Sequence, residues 1–247
     1  MVFDFSPTIT PERLQAILAG EKFVYQRMPL PFGFTTQGED RSETADLIFE
    51  EDLEGASVLD IGCCYGYFCY EAKRRKAGRV VGLEIDEDRF RQARKLQEVY
   101  RHQIELRNES FASILAEESF DYVLLLNVIH HLKDPVSTLH TIASSVRRRL
   151  IIEFPTFMDK RFRKSLPRLL PRLLNRLPLI GVASLEKADQ TYVFSKEAIW
   201  RILMDHTRLF ATVRFIQSPI QGRLIAICNK QTREAQRDVF PESSAVP

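Results

Sequence analysis

The sequence predicts an α/β fold with a mostly parallel sheet, and three stretches predict it. Residues 57–86, SVLDIGCCYGYFCYEAKRRKAGRVVGLEID, read as a strand, a glycine-containing turn, a helix and a second strand ending in an acid. Residues 120–135, FDYVLLLNVIHHLKDP, read as a central strand with a polar end and a proline-started helix. Residues 209–216 and 223–228 read as two further strands that close the regular part of the chain. Short apolar runs bounded by turn residues and separated by helices suit strands buried on both faces.

Residues 1–56 read as largely helical. Thr10 is an N-cap, Pro11 suits the first helical position, Glu12 supplies a first-turn acid and Gly20 stops the helix. The segment PLPFGFTTQGEDR, 29–41, is too rich in Pro, Gly and Thr for a regular element and reads as a loop carrying Phe32 and Phe34. A second helix over 42–53 leads into the first strand. Together these make a helical cap, either closing over a ligand or serving as a packing arm.

Val58, Leu59 and Ile61 form the first strand, and Gly62 and Gly66 bracket a tight turn where backbone can approach a ligand. A helix over 67–76 follows, its first-turn N–H groups pointing back at that turn. Val80, Val81 and Leu83 make the second strand, with Glu84 at its carboxyl edge, where ligands of open α/β sheets bind. A carboxylate there can accept two hydrogen bonds from a ribose diol, so the half-site reads as a nucleoside pocket. A helix over 87–100 turns Phe90, Ala93 and Leu96 inward, and a third strand over 104–107 ends at Asn108-Glu109.

Val123 to Leu126 form the core of the central strand, with 127–131 at its carboxyl end; Asp134 caps the next helix and Pro135 starts it. A fifth strand covers 150–154. In 156–190, leucines at helical spacing run beside Lys160, Arg161, Arg163, Lys164, Arg168, Arg172 and Arg176, while Pro167 and Pro171 break the run into two or three short helical pieces. This segment reads as a lid inserted after the fifth strand. Ser195 caps a helix over 196–206 containing Trp200, and the polar stretch 231–247 reads as a disordered tail.

At 247 residues, with 45% hydrophobic and 28% charged content and a net charge of +2, the chain suits one soluble α/β domain over 1–230. No apolar run is long enough to span a bilayer, and MVFDFSPTIT lacks the features of a secretory signal, so a cytoplasmic location is expected. Cys63, Cys64, Cys69 and Cys228 show no zinc-site or disulfide spacing, and no metal is expected.

The order Asp60-x-Gly62-x-x-x-Gly66 resembles motif I of class I S-adenosylmethionine-dependent methyltransferases, and Glu84 matches the acid those enzymes carry after the second strand. Cys64 stands where their usual pattern has its middle glycine. A dinucleotide site, the rival, needs G-x-G-x-x-G, which 62–66 does not supply. Phe120-Asp121 and His131-Leu132-Lys133-Asp134-Pro135 are similar to motif IV of many small-molecule and tRNA methyltransferases, the tRNA wobble-uridine carboxymethyltransferases among them.

The resemblance implies a Rossmann-like seven-stranded, mostly parallel sheet with a terminal antiparallel hairpin, and S-adenosyl-L-methionine as cofactor. It places Asp60, Gly62, Cys63, Cys64, Gly66, Tyr67, Glu84, Ile85, Asn108, Glu109 and Asn127 around that cofactor. Asp60 would support the turn and the methionine amino group, Glu84 the ribose, and Asn108-Glu109 the adenine; Arg41 or Gln37 would reach the carboxylate.

A hydroxyl acceptor calls for a base near neutral pKa, for which His131 and then His130 are the candidates; family members keep a histidine before the leucine. Phe32, Arg41, Phe157 and Arg161 are the candidate acceptor contacts. The expected reaction is methylation of a hydroxyl or nitrogen on a small molecule or glycan, anionic ones included. The alternatives are a tRNA wobble-uridine modifying transferase and a non-catalytic cofactor-binding partner subunit. The basic lid suits an anionic substrate, a membrane surface or a solvated cover. Nucleic acid is disfavoured because no separate RNA-binding module is present. The oligomeric state stays open.

Overall fold

The computed structural model describes residues 3–160, 167, 169–182 and 192–230. The cap contains α1 (Pro11–Leu18) and α2 (Ser42–Ile48). The main body runs β1 (Ser57–Ile61), α3 (Tyr67–Arg74), β2 (Arg79–Leu83), α4 (Glu87–Gln97), β3 (Glu105–Arg107), α5 (Phe111–Glu117), β4 (Phe120–Leu126), α6 (Pro135–Ser144) and β5 (Val146–Pro155). Then follow α7 (Leu170–Leu174), β6 (Ile180–Val182), β7 (Tyr192–Phe194), α8 (Lys196–Arg201) with a π-helical turn Ile202–His206, β8 (Phe210–Gln217) and β9 (Arg223–Lys230).

Seven strands form one sheet in the order β3-β2-β1-β4-β5-β9-β8. The first five are parallel; β9 pairs antiparallel with both β5 and β8. The order reverses beside β1, whose Asp60 faces Gly82 on one side and Leu124 on the other. In open α/β sheets the crevice at that switch point is where ligands bind. One apolar cluster, including Val58, Tyr65 and Leu96, covers one face; a second, including Leu59, Val123 and Ile199, covers the other.

The caps form as the side chains dictate. Thr10, Asp86, Asp134 and Ser195 each accept a hydrogen bond from the N–H three residues on, satisfying an orphan donor of the first turn.

Several boundaries differ from expectation for tertiary reasons. The second helix stops at Ile48 rather than 53, because Leu53 N–H donates to Arg75 O at 2.8 Å and draws the chain onto the end of α3. The helix after Glu84 stops at Gln97 rather than 100, since Val99 O accepts from Ser6 N–H and the Tyr100 hydroxyl donates to Pro29 O. The seven residues of α5 carry too little apolar periodicity to be expected from sequence. Within 156–190 the described residues hold one short helix, α7, and the strand β6, which pairs antiparallel with β7. The described part of the expected helical lid thus includes a helical piece and, after it, a ribbon strand, where Gly181 lets the Phe157 ring lie against the β6 backbone. Arg161 and the tail 231–247 lie outside the described residues. Among the described residues no helix is long and apolar enough to cross a membrane.

Candidate functional site

The turn after β1 is built on three left-handed residues: Gly62 (φ 73), Cys64 (φ 53) and Gly66 (φ 86). A Cβ on Gly62 would lie 2.5 Å from Val128 Cγ2, so glycine is required by space as well as by φ. Cysteine, at the position where a glycine is usual, takes up the left-handed conformation itself. The N–H groups of Gly62 and Cys63 both donate to Leu83 O, at 2.8 and 2.9 Å, and this folds the turn over the end of β2.

Glu84 is 3% exposed and holds the turn from the other side. Its Oε2 accepts from Cys64 N–H and its Oε1 from Asp86 N–H, both at 3.0 Å. Each oxygen keeps a second lone-pair direction, the number a ribose diol needs. Asn108 Nδ2 donates to Glu84 O at 2.7 Å and fixes the strand end from β3.

These groups open onto a cleft of about 700 Å³ at the carboxyl edge of the sheet. Glu84, Ile85, Asp86 and Arg89 enter it from the end of β2 and the start of α4. Ile85 is 72% exposed, a flat apolar surface at a polar edge. Arg89 stacks over the Tyr25 ring at 4.7 Å from the centroid. Asn127, Val128 and His131 enter from the end of β4, and Ile220 and Arg223 from the β8–β9 hairpin. The pre-sheet segment contributes Tyr25, Gln26, Glu39 and Arg41. Gln26 Oε1 accepts from Tyr65 N–H at 3.0 Å and ties this segment to the glycine turn.

Three buried groups set the electrostatics. Asp60, under the turn, accepts from the Cys69 thiol at 3.7 Å; burial raises its carboxyl to about 7, a rise that Glu84 reinforces and Cys69 and Arg41 oppose. Arg41 Nη2 donates to Glu153 Oε2 at 2.6 Å, and its guanidinium lies 5.3 Å from the Phe68 ring centroid. The Nε of Arg41 is buried and has no hydrogen-bond partner among the described residues. Glu153 is fully buried and also accepts from Ser218 Oγ. Asn127 (φ 62) bonds Arg223 through its side chain and donates its N–H to Glu153 O at 3.1 Å.

The sequence candidates divide clearly. Gly62, Glu84, Ile85, Asn127, Arg41 and His131 line the cleft. Asp60, Cys64 and Gly66 shape its turn from behind, and the half-buried Cys64 packs on the core. Tyr67 does not reach it: the ring packs on Phe3 and Phe68 and lines a separate cavity of about 680 Å³. Its neighbour Phe68 takes the cleft face of α3 instead. Cys63 is buried against Gly82 and Cys69. Asn108 bonds the Glu84 backbone, Glu109 is held by Arg107 and Ser113, and neither is among the residues lining the cleft.

Among the acceptor candidates, Phe32 is exposed on a turn outside the cleft, because its left-handed φ of 60 carries the loop outward. Phe157 packs over Gly181 instead of lining the cleft. His130 is 2% exposed and is not among the cleft residues, whereas His131 is exposed on its rim. The adjacent rings, 4.1 Å between centroids, sit on one 3-10 turn whose tightness separates their environments.

Sequence reasoning missed Phe68, Arg89, Glu153 and Arg223. Arg89 had a signal, since it stands in the first turn after the nucleoside strand. Glu153 had one as well, an acid at the carboxyl end of the expected fifth strand; Arg223 had none, since register alone, opposite Pro155, brings it to the site.

Residues 59–150 match a family model described as a methyltransferase domain. The chain is 29% identical over 122 residues to a tRNA U34 carboxymethyltransferase of Desulfotalea psychrophila, covering 47% of this chain and 38% of that protein. It is 29% identical over 131 residues to a ubiquinone biosynthesis O-methyltransferase of a Methylobacterium species, covering 52% of each. The chain thus spans about half or less of the length of these curated relatives. Among solved structures, the N-terminal domain of EvdMO1 with SAH bound superposes with a TM-score of 0.64 at 15% identity, covering 90% of this chain and 98% of that one. Magnesium protoporphyrin IX methyltransferase from Synechocystis with bound SAM gives a TM-score of 0.52 at 20% identity, covering 89% and 90%. The glycine turn, the acid after the second strand and the sheet order agree with the matched model: residues 59–150 are similar to a methyltransferase domain, on a fold shared with S-adenosylmethionine-dependent methyltransferases.

Proposed function

We propose that the chain transfers a methyl group from S-adenosylmethionine to a hydroxyl, or a nitrogen, of a small molecule or glycan. The observation that carries this reading is one cleft shared by two sets of residues. At one end Glu84 and Ile85 suit a nucleoside; at the other His131 and Asn127 stand on the end of the central strand. Between them the Gly62 turn and the unpartnered Nε of Arg41 suit the amino-acid portion and its carboxylate.

When bound, the cofactor supplies a methyl group already activated by its positively charged sulfur. The protein's part is then to align and to take up a proton. Holding acceptor and methyl in line is worth up to ~7–11 kcal/mol of barrier when the geometry is near attack. His131, on the rim at the end of the central strand, is the group placed to remove the acceptor proton. His130, buried beside it, supports the turn.

Turnover with S-adenosylmethionine on a panel of phenolic, sugar and amine acceptors tests the reading. His131→Ala should lose ~10²–10⁴-fold in rate. His130→Ala should change mainly stability. Equal activity of His131→Ala and the wild type on a working acceptor would leave alignment as the whole mechanism.

A second reading, modification of a tRNA wobble uridine, is favoured by the curated relatives that carry that name. A salt-dependent mobility shift with total tRNA would support it.

A further inference from the structure

We propose that the acceptor is an anion, bearing a carboxylate or phosphate, and that Arg223 is the residue that recognises its charge. The proposal rests on the methyl-transfer reading and names its substrate class. The cleft is asymmetric along the sheet. Glu84 follows β2, and Arg223 opens β9, four strand positions away in the order β2-β1-β4-β5-β9. At ~4.8 Å per strand the two backbones stand roughly 19 Å apart. Asn127 and His131, at the end of β4, lie between them. A nucleoside anchored at Glu84 therefore presents its far end near β4, and Arg223 faces whatever approaches from the other side.

The surroundings of Arg223 are those of a recognition group rather than of a solvated surface charge. Its side chain is 11% exposed, yet it borders the cleft. Its Nη1 donates to Asn127 Oδ1, and Asn127 holds an uncommon left-handed φ of 62. Asp159, itself buried, stands 4.0 Å from Nε. Keeping a guanidinium out of water is costly, and orienting it in advance removes the ordering cost of binding an oxyanion through two parallel N–H donors.

Calorimetry on the full chain loaded with S-adenosylhomocysteine tests this. The probes are benzoate, phenyl phosphate and indole-3-acetate, each against an uncharged analogue: benzamide, phenol and indole-3-acetamide. At least one acid should bind tenfold or more tighter than its neutral analogue. Arg223→Gln, which keeps a polar side chain without the charge, should abolish that preference with S-adenosylhomocysteine affinity unchanged, and Arg223→Lys should retain part of it. Equal binding of every acid and its analogue by the loaded wild type would overturn the proposal. So would an Arg223→Gln variant that keeps the preference, or one that loses S-adenosylhomocysteine affinity, since the residue would then serve the cofactor or the fold. No heat with S-adenosylhomocysteine in the wild type would instead overturn the methyl-transfer reading beneath it.

Discussion

Asp60 is a carboxyl placed where ionisation is unfavourable, with burial raising it from 3.8 to about 7. Its linkage to folding has a definite sign. The neutral acid is favoured in the folded chain, so the stability it contributes is full below pH ~4 and is lost as pH rises through about 7. Asp60→Asn should therefore raise the melting midpoint of the free chain at pH 8 and leave it nearly unchanged at pH 4. Each tenfold in proton affinity is worth ~1.4 kcal/mol, so the gain at pH 8 is at most ~4 kcal/mol. A variant no more stable at pH 8 would mean that the charge is already compensated. Such a cost, retained beside a cleft, fits a group that awaits a cation. The amino and sulfonium charges of the cofactor would favour its ionised form, which makes the Asn variant more stable but poorer at binding.

At the scale of elements, two buried or half-buried carboxylates lock the strands at opposite edges. On the cleft edge, Glu153 of β5 joins Arg41 of the cap and Ser218 of the β8–β9 hairpin. Glu153→Gln leaves the Arg41 charge without its buried counterpart and should cost ~3–5 kcal/mol in urea unfolding. A loss below ~1 kcal/mol would show the cap docked without it. On the far edge, Asp121 of β4 accepts from Ser57 N–H at 2.9 Å, from the Ser57 hydroxyl at 2.8 Å and from Arg147 at 3.0 Å, joining β1, β4 and β5. Partial burial pushes its carboxyl up, but Arg147 and the Ser57 donors outweigh this and hold it at about 2. The stability it contributes is present above ~4 and lost as pH falls through about 2. Asp121→Asn should thus cost ~1–2 kcal/mol at pH 7, with the difference shrinking between pH 4 and 2 in acid titrations.

These elements also show what the sequence could reveal. The strand–turn–helix at Gly62 and the acid at Glu84 were legible because local chemistry demands them: left-handed turn residues, a short apolar run, a carboxylate at a strand end. The capping residues Thr10, Asp134 and Ser195 were legible for the same reason, since a cap acts within three residues. Arg223 and Phe68 were not, because each reaches the cleft through register or helix phase, which no local pattern records. Tyr67 and Cys63 were displaced from the site for a related cause. Adjacent positions in a tight turn project in different directions, and these two were claimed by the core.

For the whole molecule, the sheet order sets the division of labour. The strands β2 and β1 carry the acid and glycine turn, β4 carries the histidines, and the antiparallel β9 brings the arginine. The cap closes this edge through Gln26 and Arg41, and two apolar layers hold the sheet rigid behind it. In the proposed function Glu84 anchors a nucleoside in this cleft. Titrating the chain calorimetrically with S-adenosylmethionine and S-adenosylhomocysteine tests it most directly, with Glu84→Ala run alongside. Saturable binding of both, weakened at least tenfold by Glu84→Ala in a variant that melts normally, is the predicted result. No heat with either compound, or equal affinity in Glu84→Ala, would contradict it.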